Sequence, residues 1–378
     1  MDHHKTNRHR DLKDTQTTRT APPVPPSPRL PVSLSPCLLV FSGGFVLDNS
    51  SILSVRNLRT YFNLDQGTLK AVDGVDFDLP RNKTRGMIGE SGCGTSVTAY
   101  SIMRTVQPPG RLVDGTIELR RTNGEIVDIA QLDPFGAQIR AIRGKEIAMI
   151  FQEPIASLSP VHTIGDQIME MVLLHRTRNK REAKAIVLDM LDKVGLSNPA
   201  QRFHEYAHQL SGGMCQRAMI AQALTCNPAV LIADEPTTAL DVTVQAQIIE
   251  LIRSLQDEFG MSVLYITHDL GVIAEVADAV AVMYLGRIVE YADTRTIFRN
   301  PLHPYTQRLL KAIPTLTGPA GGHLENIKGN VPVPLDPPAE CGFYSRCLLA
   351  QDGLCNASIP PLVEVEPGHQ VRCFLVTA

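Results

Sequence analysis

The stretch Leu210–Arg217, LSGGMCQR, followed one helix later by Val230–Asp241, VLIADEPTTALD, decides the fold of this 378-residue chain. Ser211, Gly212 and Gly213 bring a small hydroxyl and bare backbone N–H groups to the start of a helix, a design suited to gripping phosphate. The apolar run Val230–Ala233 reads as a buried strand that ends in two carboxylates. Asp234 is placed to hold Mg2+ through water, and Glu235 to polarise an attacking water.

A matching phosphate loop lies upstream, and it is altered. After Met87-Ile88 comes GESGCGTS, Gly89–Ser96, where the pattern G-x-x-x-x-G-K-[ST] expects lysine at position 95 and this chain has Thr95. Gly89, Gly92 and Gly94 still let the backbone curl so that the N–H groups from Cys93 to Val97 face a phosphate, and Ser96 still offers a hydroxyl to Mg2+. The positive charge is what is missing. A hydrogen bond to a charged group contributes roughly 1.5–3 kcal/mol, equivalent to about 10- to 150-fold in nucleotide affinity. Lys83 or Arg85, in RNKTRGMIG, is an imperfect substitute, because both precede the strand rather than follow the loop.

This order of motifs resembles the ATP-binding subunit of ABC transporters. The resemblance implies an α/β fold: a P-loop nucleotide-binding domain with a mixed sheet core, an antiparallel β subdomain and a helical subdomain carrying the signature, followed by a small Cys-containing C-terminal extension. It implies ATP and Mg2+ as ligands. Gln152, at the end of the strand-like EIAMIFQEP, matches the glutamine that contacts Mg2+ or the lytic water. His268, at the end of SVLYITHDL, matches the switch histidine that contacts the γ-phosphate. Asp241 belongs to the loop that crosses to a partner subunit. Phe62, with Tyr61 beside it, matches the aromatic that stacks on adenine, although a core aromatic reads the same way.

The segments between these motifs fit the same plan. ILSVRNLRTYF and TLKAVDGVDFDL read as strands, with a turn expected near Asp73-Gly74. The stretch REAKAIVLDMLDKVGL has helical periodicity with Gly195 as a stop, and VQAQIIELIRSLQDEFG is an amphipathic helix that also ends in glycine. The expected organisation is residues 51–295 as the ATP-binding domain, with its helical subdomain at about 155–225, and 296–378 as the extension. Residues 1–50 hold the basic DHHKTNRHR and seven prolines between Pro22 and Pro36, a composition expected of disordered chain or of a mis-assigned start.

Two further features narrow the resemblance to the oligopeptide, dipeptide and nickel importers. One is ASLSPVHTIGDQI after Gln152, and the other is NPLHPYTQRLLKAIP, Asn300–Pro314. Cys341, Cys347, Cys355 and Cys373 follow, spaced C-x5-C-x7-C-x17-C. Four thiolates suit Zn2+ or an iron–sulfur cluster. By resemblance to related peptide-importer subunits a 4Fe–4S cluster is favoured, while disulfides are the alternative, disfavoured in the reducing compartment of a cytosolic ATPase.

Composition bounds the partners. With 43% apolar and 20% charged residues and a net charge of −3, the chain has an ordinary globular balance and no general basic surface for nucleic acid. It has no apolar run of 18 residues, so transport requires separate membrane subunits. The family logic implies two permease subunits, a second ATP-binding subunit and, indirectly, an extracytoplasmic solute-binding protein, at the cytoplasmic face of the membrane. An altered Thr95 beside intact Asp234, Glu235 and His268 favours a heterodimer with one strong and one weak site. The alternative is a degenerate half that serves as a structural or regulatory partner. A soluble ATPase acting on DNA or ribosomes is disfavoured by the importer-like tail.

Overall fold

Runs of β-branched and aliphatic residues build the frame. The computed structural model describes residues 50–238, 240–312 and 329–377; the N-terminal stretch 1–49 and the last two residues of NPLHPYTQRLLKAIP, 313–314, lie outside them. Strands β1 (Ser51–Leu64) and β2 (Gly67–Pro80) form an antiparallel pair, extended by β4 (Gly110–Arg120) and β5 (Ile126–Asp128) in the order β2-β1-β4-β5. The turn between β1 and β2 falls at Asp65-Gln66 and not at Asp73-Gly74. Gly74, at φ +81°, and Asn57, at φ +47°, absorb a register shift inside the pair, so the glycine marks a bulge in a continuing strand.

The large sheet has the order β11-β12-β10-β9-β3-β8-β7-β6. Its centre is parallel: β3 (Thr84–Ile88) lies between β8 (Ser262–Ile266) and β9 (Ala279–Tyr284), and β7 (Val230–Asp234) lies between β8 and β6 (Ile147–Ile150). Every residue of these five strands is buried, which explains their continuous rather than alternating apolar sequence. Four of them end on one edge in Ile88, Ile150, Asp234 and Ile266, so the segments carrying the phosphate loop, Gln152, Glu235 and His268 all leave the sheet on the same side.

Between β6 and β7 the chain is helical. Helix Ile164–His175 is capped by the Thr163 hydroxyl, helix Lys180–Lys193 by the Asn179 side chain, and helix Gly212–Leu224 by Ser211. Their inward faces join the core through Ile168, Val187, Leu191, Cys215 and Met219. After β7 the amphipathic helix Val242–Phe259 ends at Gly260, as its sequence anticipates.

The C-terminal residues do not stand apart from the sheet. Antiparallel β10 (Arg287–Asp293) pairs with β12 (His369–Val371), which pairs with β11 (Val363–Glu366). Buried Glu290 on β10 accepts the backbone N–H groups of Leu302 and His303 at 2.7 and 3.0 Å and bonds His369 Nε2 at 2.8 Å. The NPLHP turn is thus fastened to the sheet by a carboxylate. Farther on, Leu335 bridges Leu69 at the free edge of β2, and Lys70 donates its N–H to the Pro334 carbonyl.

Candidate nucleotide site

The phosphate loop is closed by packing as much as by its own turns. It leaves β3 at Ile88 and enters helix Thr95–Ile102, with Gly94 at φ +104° in the N-cap position. A Cβ at Gly94 would collide with the Ala71 carbonyl of β2, so only glycine lets the loop lie against that strand. The Cys93 carbonyl accepts the Gly286 N–H at 2.8 Å, and its thiol is turned into the core, where burial raises its pKa. Cys93 therefore offers the site its backbone and not its sulfur. Above Gly92, whose φ is +85°, the space is open. Val97 packs inward against the core, and its carbonyl accepts the Ser101 hydroxyl.

Thr95 begins the helix, and neither substitute cation of the sequence reaches it. Lys83 pairs with Asp278 at 3.0 Å, while Arg85 donates to the Asp78 carbonyl and lies over the Tyr291 ring at 4.8 Å. Both are held at the opposite end of β3 from the loop. The lost lysine charge is not returned from there.

The acidic end of β7 meets this loop. The Ser96 hydroxyl donates to Asp234 Oδ1 at 2.9 Å, and among the described residues the buried Asp234 Oδ2 has no partner. Burial pushes the Asp234 carboxyl up to about 6; the Ser96 hydrogen bond opposes this and the Glu235 charge adds to it. A hydroxyl and a carboxylate oxygen with an unused lone pair, side by side below an open glycine loop, fit a Mg2+ ion and a phosphate. That donor set is all oxygen, as Mg2+ requires.

Glu235 is the centre of a second cluster. It sits in the left-handed region at φ +48°, a strained conformation for a side chain of this size. Its backbone N–H donates to the Ile266 carbonyl at 2.8 Å, which locks it against β8. Its carboxylate receives Gln152 Nε2 at 3.2 Å and the Thr238 hydroxyl at 2.7 Å, and meets His268 Nδ1 at 2.9 Å. Two residues singled out in sequence, Gln152 after β6 and His268 after β8, therefore converge on the Glu235 carboxylate that follows β7. Thr238 was passed over, although it lies within the quoted motif three residues after Glu235; its hydroxyl acquires meaning only when the turn folds back.

The remaining site candidates lie elsewhere. Ser211 accepts the Met214 N–H at 3.4 Å, and both Ser211 and Gly212 are exposed, with open space beside Gly212. Among the described residues no hydrogen bond joins Ser211–Gly213 to the phosphate loop. Asp241 caps helix Val242–Phe259 by accepting the Val244 N–H at 3.0 Å. Phe62 is half-buried against Gly110, where a Cβ would strike its ring, while the Tyr61 hydroxyl donates to Asp73 at 2.6 Å.

The tail cysteines give a different result from the one expected. Cys341, Cys347, Cys355 and Cys373 are all free thiols, so the disulfide alternative is not seen. They are neighbours, with the Cys341 N–H donating to the Cys355 carbonyl at 2.9 Å, yet among the described residues no group of three or more His, Cys, Asp or Glu side chains is arranged to hold a metal. The iron–sulfur and zinc readings therefore have no support in this geometry.

Comparison with known proteins identifies the family. Residues 72–238 match the ABC transporter family, and residues 289–355 match the oligopeptide/dipeptide transporter C-terminal region. The oligopeptide transport ATP-binding protein AppD of Bacillus subtilis is 48% identical over 327 residues, 86% of this chain and 97% of AppD. The chain belongs to the ABC transporter ATP-binding family. Within that family, the dipeptide transport ATP-binding protein DppD of the same organism is 45% identical over 325 residues, covering 86% of this chain and 94% of DppD. Among solved structures, the dimeric ABC transporter cassette MJ0796 superposes with a TM-score of 0.56 at 23% identity over 64% of this chain and 99% of that one, a likeness of fold. Among the described residues of this family member, no helix is long and apolar enough to cross a membrane.

Proposed function

We propose that this chain is the ATP-binding and ATP-hydrolysing subunit of a peptide importer, working from the cytoplasmic face of the membrane beside two permease subunits, and that Thr95 weakens its own ATP site. The convergence of Gln152, Thr238 and His268 on Glu235, next to Asp234 with its unpartnered oxygen, is the observation that carries this reading. A structural half has no need of a carboxylate so positioned. The names of AppD and DppD support peptides as the cargo class, and a solute-binding protein would deliver them from outside.

Bound Mg·ATP would supply the phosphoanhydride to be cleaved and the cation that neutralises its oxygens. Ser96 and Asp234 would hold the cation, with Gln152 near it, and the N–H groups between Gly89 and Ser96 would receive phosphate oxygens. Phe62 would stack on the base. Glu235 would accept the proton of the attacking water at a carboxylate oxygen, once its contacts with Gln152 and Thr238 reorganise, while His268 holds the outer phosphate. Ser211 and Gly212 face solvent, with Gly213 half-buried beside them, as suits a signature that completes a neighbour's site, and Asp241 would cross to the same neighbour.

Because Thr95 affects only the loop of this chain, a heterodimer with a lysine-bearing second subunit is favoured. The test is Mg·ATP binding and turnover by the purified chain, by Thr95→Lys, and by each mixed with a neighbouring ATP-binding subunit. Weak binding that Thr95→Lys tightens by roughly 10- to 150-fold, with turnover in the mixed pair, supports the proposal. Full turnover by the unmodified chain alone overturns the weak site. Absence of turnover in every combination selects a catalytically degenerate half.

A further inference from the structure

The residue that follows Gly89 in the phosphate loop is an acid. In a loop built to hold anions, the Glu90 carboxylate opposes the ligand, and the more so where the lysine charge is gone. The structure answers this charge from the C-terminal residues. Arg346 Nη1 donates to Glu90 Oε2 at 2.7 Å and Arg346 Nη2 to Oε1 at 3.0 Å, a two-pronged pair that fixes both orientation and distance. The guanidinium side chain is 5% exposed and the Glu90 side chain 26%, so solvent screens the pair little.

Arg346 is itself anchored. It donates to the Tyr284 hydroxyl at 3.2 Å and to the Gly329 carbonyl at 3.0 Å, and it lies 5.7 Å from the Tyr284 ring centre. Tyr284, Tyr305 and Phe343 form a packed aromatic group beneath it, with ring centres 4.7 to 5.4 Å apart. Tyr305, fully buried in the NPLHPYTQ segment, turns its hydroxyl to the same loop residue and accepts the Glu90 backbone N–H at 3.0 Å. Two separate stretches of the tail thus hold one residue of the phosphate loop, one by its side chain and one by its backbone.

We propose that Arg346 is a positioning residue of the nucleotide site: by pairing with Glu90, and together with Tyr305, it holds the phosphate loop in its binding shape and turns the Glu90 charge away from the phosphates. This deepens, and rests on, the reading of the loop as an ATP site. It gives the tail a role in nucleotide affinity that none of its cysteines provides. Because coupling is reciprocal, nucleotide on the loop also steadies the tail.

A double-mutant cycle tests this, with the dissociation constant of Mg·ATP measured by calorimetry on the full chain and repeated in a Thr95→Lys background where binding is stronger. Arg346→Ala is expected to weaken binding about 10-fold, with Arg346→Lys in between because a point charge does not reproduce the fork. In a Glu90→Gln background the same Arg346→Ala change is expected to cost less than 2-fold. A change of under 2-fold in the Glu90 chain, or an equal loss in both backgrounds, overturns the proposal. If Arg346→Ala fails to fold, Tyr305→Phe removes only the hydroxyl; a dissociation constant raised about 3-fold at unchanged thermal midpoint supports the proposal, and an unchanged constant overturns it. If neither the native chain nor Thr95→Lys binds Mg·ATP, the ATP reading fails and this inference with it, whereas tight binding indifferent to Arg346 sinks this inference alone.

Discussion

At the scale of single residues the site is defined by two carboxylates in different surroundings. Asp234 is buried and pushed up to about 6 from an ordinary 3.8, so the folded state holds its proton more tightly than the unfolded chain does. The resulting penalty is absent below pH ~4, grows between about 4 and 6, and is fully present above 6. Asp234→Asn is therefore expected to stabilise the nucleotide-free chain by about 1–3 kcal/mol at pH 8 and not at pH 4, as urea unfolding would measure. The native chain should also lose Mg·ATP affinity as pH falls below about 6, because the cation must displace the proton. Glu235 is instead held by donors. In the Thr95→Lys chain, where this chain's own site is restored, adding Thr238→Val should lower that site's turnover by roughly 10-fold with little change in KM, since one hydrogen bond to a charged group that orients the base is lost. An unchanged turnover number would show that Gln152 and His268 suffice.

At the scale of elements, the fold places glycine and charge where strands meet loops. Gly94 lets the phosphate loop press against β2, and Glu290 lets the NPLHP turn press against β10. Glu290 is fully buried, with three partners from two segments, the NPLHP turn and β12. Replacing it leaves Leu302 N–H, His303 N–H and His369 without their acceptor, at about 1–3 kcal/mol for each buried group so orphaned. Glu290→Ala should lower the thermal midpoint by several degrees and open the chain after Asn300 to limited proteolysis, with the strands of the central sheet still protected. Equal protection of native and variant tails would mean that β12 alone holds them.

At the scale of the whole molecule, the two phosphate-gripping motifs do not meet within the chain. The phosphate loop lies at the strand ends beside Asp234, whereas Ser211 and Gly212 are exposed at a helix start among the inserted helices. In the proposed pairing this exposed motif is completed by another subunit, which makes an asymmetric prediction. In the mixed pair, Ser211→Arg should abolish most ATP turnover because it blocks the site on the lysine-bearing partner, while further truncation of the weak loop, Thr95→Ala, should change turnover by less than 2-fold. Steady-state phosphate release reads both. The reverse ranking would assign the working site to this chain.

By itself the sequence determined the class of fold and the order of the parts. The apolar runs Val230–Ala233 and Ser262–Ile266 are strands because both faces are buried, and the motif carboxylates and His268 follow at their ends for the same reason. Local signals also marked two helix ends, at Gly195 and Gly260, where each glycine takes a positive φ. Other features needed the tertiary structure. Gly74 reads as a turn in sequence but is a bulge, because pairing with β1 continues past it. The cysteine spacing suggests a metal, yet among the described residues the group is not arranged around an ion. The pair Glu90–Arg346 spans 256 positions, a separation no periodicity or motif records. Sequence patterns carry what is local or repeats with a period; contacts between distant segments, and the protonation that burial enforces, exist only once the chain has packed.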